Sequence, residues 1–269
     1  MKDFTLSLAI LLTVLQLAAQ EPLVILHTND THSRIEYSIN RQGDTIGGVI
    51  CRADVINDIK KQHENVLLVD AGDFSQGSVY YSFFKGKTEI EIMNLLDYNI
   101  CCLGNHEFDF GCKSLAKVLK KAKFPIVCSN YDFADRHLSK IVKDFYIMEV
   151  QGKKIGFFGL LTNIQYISST YNKNMLSYHN AIETAQEMVY QLREVEHCDM
   201  VICLSHLGFD IGTKENPDDK LLAQNVKGID IIIGGHSHTA LQEAVIINNT
   251  YIVQAGNKGE YLGQIIVNF

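Results

Sequence analysis

Leu23-Val24-Ile25-Leu26-His27-Thr28-Asn29-Asp30-Thr31-His32 is a short apolar run that breaks into a polar segment holding a carboxylate and an imidazole two residues apart. A few aliphatic side chains in a row, bounded by turn-forming residues, read as a strand buried on both faces, as in parallel sheets. The same event recurs four times. Residues 66–69 run into Asp70-Ala71-Gly72-Asp73, and residues 100–103 into Gly104-Asn105-His106-Glu107. Residues 200–204 run into Ser205-His206, and residues 229–233 into Gly234-Gly235-His236-Ser237-His238. Ligands of open α/β sheets bind outside the carboxyl ends of the strands. Five such ends, each with a ligand-type side chain, therefore converge on one site.

Apolar residues at helical spacing fill the intervals. Val49, Ala53, Ile56 and Ile59 share a face, and residues 90–96 and 115–122 read as helices. Residues 181–195 form the best amphipathic pattern, with Ala181, Ala185, Met188, Leu192 and Val195 on one side. Gln151-Gly152 between two apolar runs is a hairpin signal. Further strands are expected at 126–128, 244–247, 251–253 and 264–269. Alternating strands and helices place the chain in the α/β class. No linker, repeat or low-complexity stretch interrupts residues 20–269, which read as one domain.

The net charge of −7 argues against a nucleic-acid binder, because no basic stripe exists to neutralise phosphates. A small anionic substrate is still allowed, since bound metal can outweigh global charge locally. Lys2, the apolar run 4–17 and Ala18-Ala19 read as a signal peptide over residues 1–19, too short to span a bilayer. The expectation is export to the periplasm or extracellular space, with no membrane anchor. Seven cysteines is an odd count for an exported chain. Cys51, Cys101, Cys102, Cys128, Cys198 and Cys203 sit in or beside apolar runs and read as buried free thiols, with no disulfide that the fold depends on.

Taken singly, the polar pieces are weak signals. Asp30-x-His32 arises often by chance, Asp73 could cap a helix, and Asn105-His106 could be a turn. A lone His206 is more often a satisfied core histidine than a ligand. His236-x-His238 puts two imidazoles on one side of an extended segment and is more specific. Together, the order DxH, GD, GNH, SH, GHSH resembles the calcineurin-like metallophosphoesterases, and the 5′-nucleotidase family most closely. Residues 25–32, Gly104-Asn105-His106-Glu107-Phe108-Asp109 and Gly234-Gly235-His236-Ser237-His238 resemble that family's signatures. So do Gly47-Gly48 with Arg52, and Ile252-Val253-Gln254-Ala255-Gly256 with Tyr261-Leu262-Gly263.

The resemblance implies a two-sheet αββα sandwich with two divalent metal ions at the strand ends. Asp30, His32, Asp73 and His238 would hold the first ion, and Asp73, Asn105, His206 and His236 the second, with Asp73 bridging. The donor set suits zinc, manganese, iron or cobalt better than calcium. The nucleophile would be a metal-activated water, with Asn105 and His106 contacting substrate. His106, oriented by Asp109, would act as general acid, while Glu107 is structural. Asn29-Asp30-Thr31 and Asn248-Asn249-Thr250 match the glycosylation pattern and are read as false positives.

Family members usually carry a C-terminal domain that stacks the nucleoside base, and the expectation is that this chain lacks it. The leading reading is therefore a phosphomonoesterase acting on nucleotides, with a separate chain able to supply the missing domain. The alternatives on the same scaffold are a cyclic phosphodiesterase, a nucleotide-sugar pyrophosphatase or a sulfur-ester hydrolase. A non-catalytic metal-binding subunit is the reading from another class. If base selectivity resides in this chain, residues 74–84 and 166–178 hold the aromatic side chains for it.

Overall fold

The computed structural model describes residues 21–164 and 174–269. The expected signal peptide and most of the 166–178 aromatic segment lie outside the described residues.

In chain order, β1 (Leu23–Thr28) is followed by the small ribbon β2 (Ser38–Ile39) and β3 (Thr45–Ile46). Then come α1 (Val49–Gln62), β4 (Asn65–Asp70), α2 (Val79–Phe84), α3 (Lys87–Leu95) and β5 (Ile100–Cys102). After these lie α4 (Cys112–Leu119), β6 (Ile126–Val127), β7 (Tyr131–Phe133), α5 (Leu138–Ile141) and β8 (Val142–Lys143). The next stretch runs through β9 (Phe145–Val150), β10 (Lys153–Leu161), β11 (Leu176–Tyr178), α6 (Ala181–Tyr190) and β12 (Met200–His206). The chain closes with α7 (Asp219–Asn225), β13 (Ile231–Gly234), β14 (Val245–Ile247), β15 (Thr250–Val253) and β16 (Gly263–Val267).

Two six-stranded sheets carry the structure, ordered β16-β1-β4-β5-β6-β8 and β14-β15-β13-β12-β10-β9. In the first, β1, β4, β5, β6 and β8 are parallel and β16 closes one edge antiparallel. In the second, β10, β12, β13 and β15 are parallel, flanked by antiparallel β9 and β14. Alternating side chains explain the layers. Leu23, Ile25, Leu67 and Val69 face Ile155, Phe157, Ile202, Leu204, Ile231 and Ile233 between the sheets. Val24, Leu26 and Leu68 turn the other way, onto Ile56 of α1, Ile90 of α3 and Leu115 of α4. Phe158, Val201, Cys203 and Ile232 likewise meet Ala185 of α6 and Leu222 of α7. This is the expected αββα sandwich.

Three expectations are corrected. The face of α6 does not extend to Val195: the helix ends in a π-helical turn at Gln191–Val195, whose wider winding rotates Val195 outward to half exposure. Cys51 is exposed on α1, unlike the other six thiols, and none of the seven forms a disulfide. Phe74 is buried in the core beneath the first sheet, so it cannot contact a base. No helix among the described residues is long and apolar enough to cross a membrane.

Candidate metal centre

The loops after β1, β4, β5, β12 and β13 leave one end of the sandwich and bring their polar side chains together in two groups. Asp30, His32 and His238 form the first. Asp30 Oδ1 lies 3.3 Å from His238 Nε2 and 3.8 Å from His32 Nε2, and the two imidazole Nε2 atoms are 3.0 Å apart. Asp73, His206 and His236 form the second, with His206 Nε2 3.1 Å from Asp73 Oδ2. His206 Nε2 also comes within 3.9 Å of Asp30 Oδ1, so the groups adjoin. Asp73 stands with the second group, and its Oδ1 accepts a 2.9 Å bond from His106 N.

The hydrogen bonding fits cations. His206 Nδ1 donates to Ala71 O at 2.7 Å and His32 Nδ1 to Ser75 O at 3.3 Å, so both Nε2 lone pairs face inward. Asp30 Oδ1, Asn105 Oδ1 and His206 Nε2 are buried with no hydrogen-bond partner. Asp30 Oδ1 and Asn105 Oδ1 would each cost about 1–3 kcal/mol if nothing bound them. The charges say the same. Burial opposes protonation of His206, but Asp73 and Asp30 outweigh it and push its pKa up to about 10. Asp73 stays well below the usual carboxylate range despite its burial, because His206 stands beside it. Burial, reinforced by His206, pushes His236 down to about 4. The pocket draws in positive charge, and a mixed imidazole, carboxylate and amide set suits borderline transition metals.

Local backbone conformation is unusual here. Asp30 (φ 48°), His32 (46°), Asp73 (55°), His236 (73°) and His238 (58°) all lie in the left-handed region. That conformation costs an L-residue about 1–2 kcal/mol, and it clusters where structure serves binding. Close approach is the second local demand. A Cβ at Gly104 would collide with Asp73 Oδ1, and one at Gly72 would sit 2.6 Å from Gly104 N. Glu107 locks these loops, accepting from the backbone N–H groups of Asp73 (3.0 Å), Ser75 (3.0 Å) and Gly104 (2.6 Å). Burial, with Asp73 nearby, pushes its pKa up to about 8.

His106 belongs to neither group. Its Nδ1 is 3.0 Å from Asp109 Oδ2, and that hydrogen bond raises its pKa. Tyr81 fixes its backbone by donating to His106 O at 2.8 Å. His106 stands on the rim of an open depression of about 370 Å³, lined also by His32, Asp73, Asn105, His236 and His238. All nine residues singled out in the sequence thus lie in or directly around one site. Arg34, Gln76 and Lys258 line it too and were not anticipated. Arg34, two residues past His32, was within reach of sequence reasoning; Lys258 carries no local signal. Among the described residues lining the depression, none is Phe, Tyr or Trp. A larger groove of about 860 Å³ runs along β15 and β16 and includes none of the nine.

A family model described as calcineurin-like phosphoesterase matches residues 23–240. The chain belongs to that family. Calcineurin-like phosphoesterases are metal-dependent hydrolases of phosphate esters, and the two groups above are the candidate positions for divalent ions in this one. The phosphoesterase is 34% identical over 274 residues to snake venom 5′-nucleotidase of Naja atra, covering 92% of this chain and 50% of that protein. It is 30% identical to 5′-nucleotidase of Rattus norvegicus, covering all of this chain and 50% of the other. A crystal structure of a 5′-nucleotidase precursor from Thermus thermophilus superposes with a TM-score of 0.83 at 30% identity, over 92% of this chain and 51% of that one. The chain spans about half the length of these relatives.

Proposed function

We propose that this phosphoesterase is an exported, dinuclear-metal phosphomonoesterase of 5′-nucleotidase type, acting on nucleotides. Asp30, His32, Asp73 and His238 hold the first ion; Asp73, Asn105, His206 and His236 hold the second. The observation that carries this reading is the pair of adjoining groups Asp30/His32/His238 and Asp73/His206/His236, with buried Asp30 Oδ1 and Asn105 Oδ1 left without hydrogen-bond partners and the oriented His106 imidazole beside them. When bound, a pair of divalent ions supplies Lewis acidity, lowering the pKa of water and neutralising phosphate charge. Arg34 and Lys258 meet the remaining phosphate charge from the rim. The Asp109 carboxylate keeps a proton on His106 Nδ1, leaving Nε2 to deliver a second proton to the leaving oxygen. The 5′-nucleotidase names of the relatives support nucleotides as substrates. An open depression with no Phe, Tyr or Trp among its described lining residues supports binding of the phosphate end here and leaves the base to other surfaces.

Asp73→Ala tests the bridge. It should lose most of the metal and essentially all activity, whereas His32→Ala should empty chiefly the first position and His206→Ala chiefly the second. Two metals per chain in purified Asp73→Ala, by elemental analysis, would refute the assignment.

A further inference from the structure

The seven proposed ligands come from two different sheets, and something must hold the two sets of loops in register. We propose that Gln254 is the positioning residue of the His236–Ser237–His238 loop and that, with Asn29, it ties the ligand loops of both sheets to the turn at residues 254–256. This inference rests on the two-ion reading of the site.

Gln254 follows β15 and is buried, and both ends of its amide are engaged by the 235–239 loop. Its Oε1 accepts from Thr239 N (2.5 Å) and Ser237 Oγ (3.1 Å), and its Nε2 donates to Gly235 O (3.1 Å). The three bonds fall on residues 235, 237 and 239, so they bracket both histidines and leave the two imidazoles free. Both histidines sit in the left-handed region. A loop in that state relaxes unless its neighbours are pinned, and Gln254 pins three of them.

The next residues of the turn reach the other sheet. Asn29 Oδ1 accepts from Ala255 N (2.8 Å), and Asn29 Nδ2 donates to Gly256 O (2.7 Å) and to Asp30 Oδ2 (2.7 Å). His236 N donates to that same Asp30 Oδ2 at 2.9 Å. One oxygen of Asp30 is thereby fully engaged, and Oδ1 is left aimed at the first group. Gly256 N donates to Thr239 O (3.0 Å) and Lys258 N to Asp30 O (2.7 Å), completing the tie. Residues that orient metal ligands commonly change affinity about 10–100-fold when removed.

The test compares the full chain with Gln254→Met, which keeps the shape and loses all three bonds, and Gln254→Glu, which keeps the accepting oxygen and loses the donor. Each protein is stripped with a chelator and titrated with zinc against a chromophoric competitor. We expect the wild type to take up two ions, Gln254→Met to bind them about 10–100-fold more weakly, and Gln254→Glu to fall between. Unfolding temperatures of the metal-free proteins separate this from a merely structural role, which would lower them without ordering the affinities. Wild-type affinity in folded Gln254→Met overturns the proposal. Should that variant fail to fold, wild-type affinity in Gln254→Glu overturns it equally. A wild-type chain binding only one ion sinks the two-ion reading, while the affinity of that ion across the three proteins still judges Gln254; no uptake at all overturns both.

Discussion

In the proposed mechanism His106 needs its protons on the correct nitrogens, and its hydrogen bond to Asp109 serves that. His106→Ala should keep both ions and the fold while kcat falls by about 10²–10⁴-fold. The loss should shrink for nitrophenyl phosphate, whose leaving group needs little protonation. Metal loss in this variant would instead make His106 a ligand. Because the Asp109 bond raises the His106 pKa, the acid stays protonated to higher pH. Asp109→Asn removes that support, so the alkaline limb of kcat/KM should move to lower pH; an unmoved limb would detach Asp109 from the acid. The seven proposed ligands were legible because each lies within a few residues of a buried strand's end, with His106 and Asp109 in the loop after β5. Gln254 lies in a segment that resembles the family, but its tie to the histidine loop did not show, and Lys258 had no signal. Both reach the site only through β15 pairing beside β13, which no local spacing encodes.

Among the elements, the parallel strands and their polar exits were readable because unbroken apolar runs need burial on both faces. The β9–β10 hairpin was readable from Gln151-Gly152, and both residues do take positive φ, 54° and 74°. Short pieces hold too few residues for a periodic signal: α7 has seven, and β2 and β3 have two each. The end of β4 supplies a prediction. Burial pushes the Asp70 carboxyl up to about 7, against hydrogen bonds from Thr28 Oγ1 and Gly72 N that favour its charge. An acid whose folded pKa exceeds its unfolded value of about 3.9 holds its proton more tightly when folded. Its contribution to stability is complete below about pH 4, declines as pH rises towards 7 and is flat beyond. Asp70→Asn should remove that decline, so its advantage in Tm over the wild type, both metal-free, should grow between about pH 5 and pH 8. An equal difference at the two pH values would mean that Asp70 is charged in the fold throughout.

At the scale of the molecule, each sheet brings part of the proposed ligand set, and neither holds all of it: Asp30, His32, Asp73 and Asn105 come from the first, His206, His236 and His238 from the second. Base stacking is worth about 1–3 kcal/mol, and among the described residues lining the depression there is no Phe, Tyr or Trp to provide it. Residues 20–269 alone should therefore hydrolyse adenosine monophosphate and ribose phosphate with KM values within about fivefold of each other. Strong base selectivity would instead bring the exposed Phe83, Phe84 and Phe110 beside α2 into the substrate site.

The left-handed ligand residues have a consequence for how this protein would respond to selection. Five positions hold a conformation that suits glycine better than aspartate or histidine, so the metal-free fold is less stable than its own backbone permits. A library screened for heat resistance in the presence of chelator should accumulate glycine or asparagine at positions 32, 236 and 238 before it touches the core. Each such change should raise the unfolding temperature of the metal-free protein by a few degrees. The same library screened with metal present should keep every one of them, and the two lists of survivors, set side by side, would draw the outline of the site from growth temperatures alone.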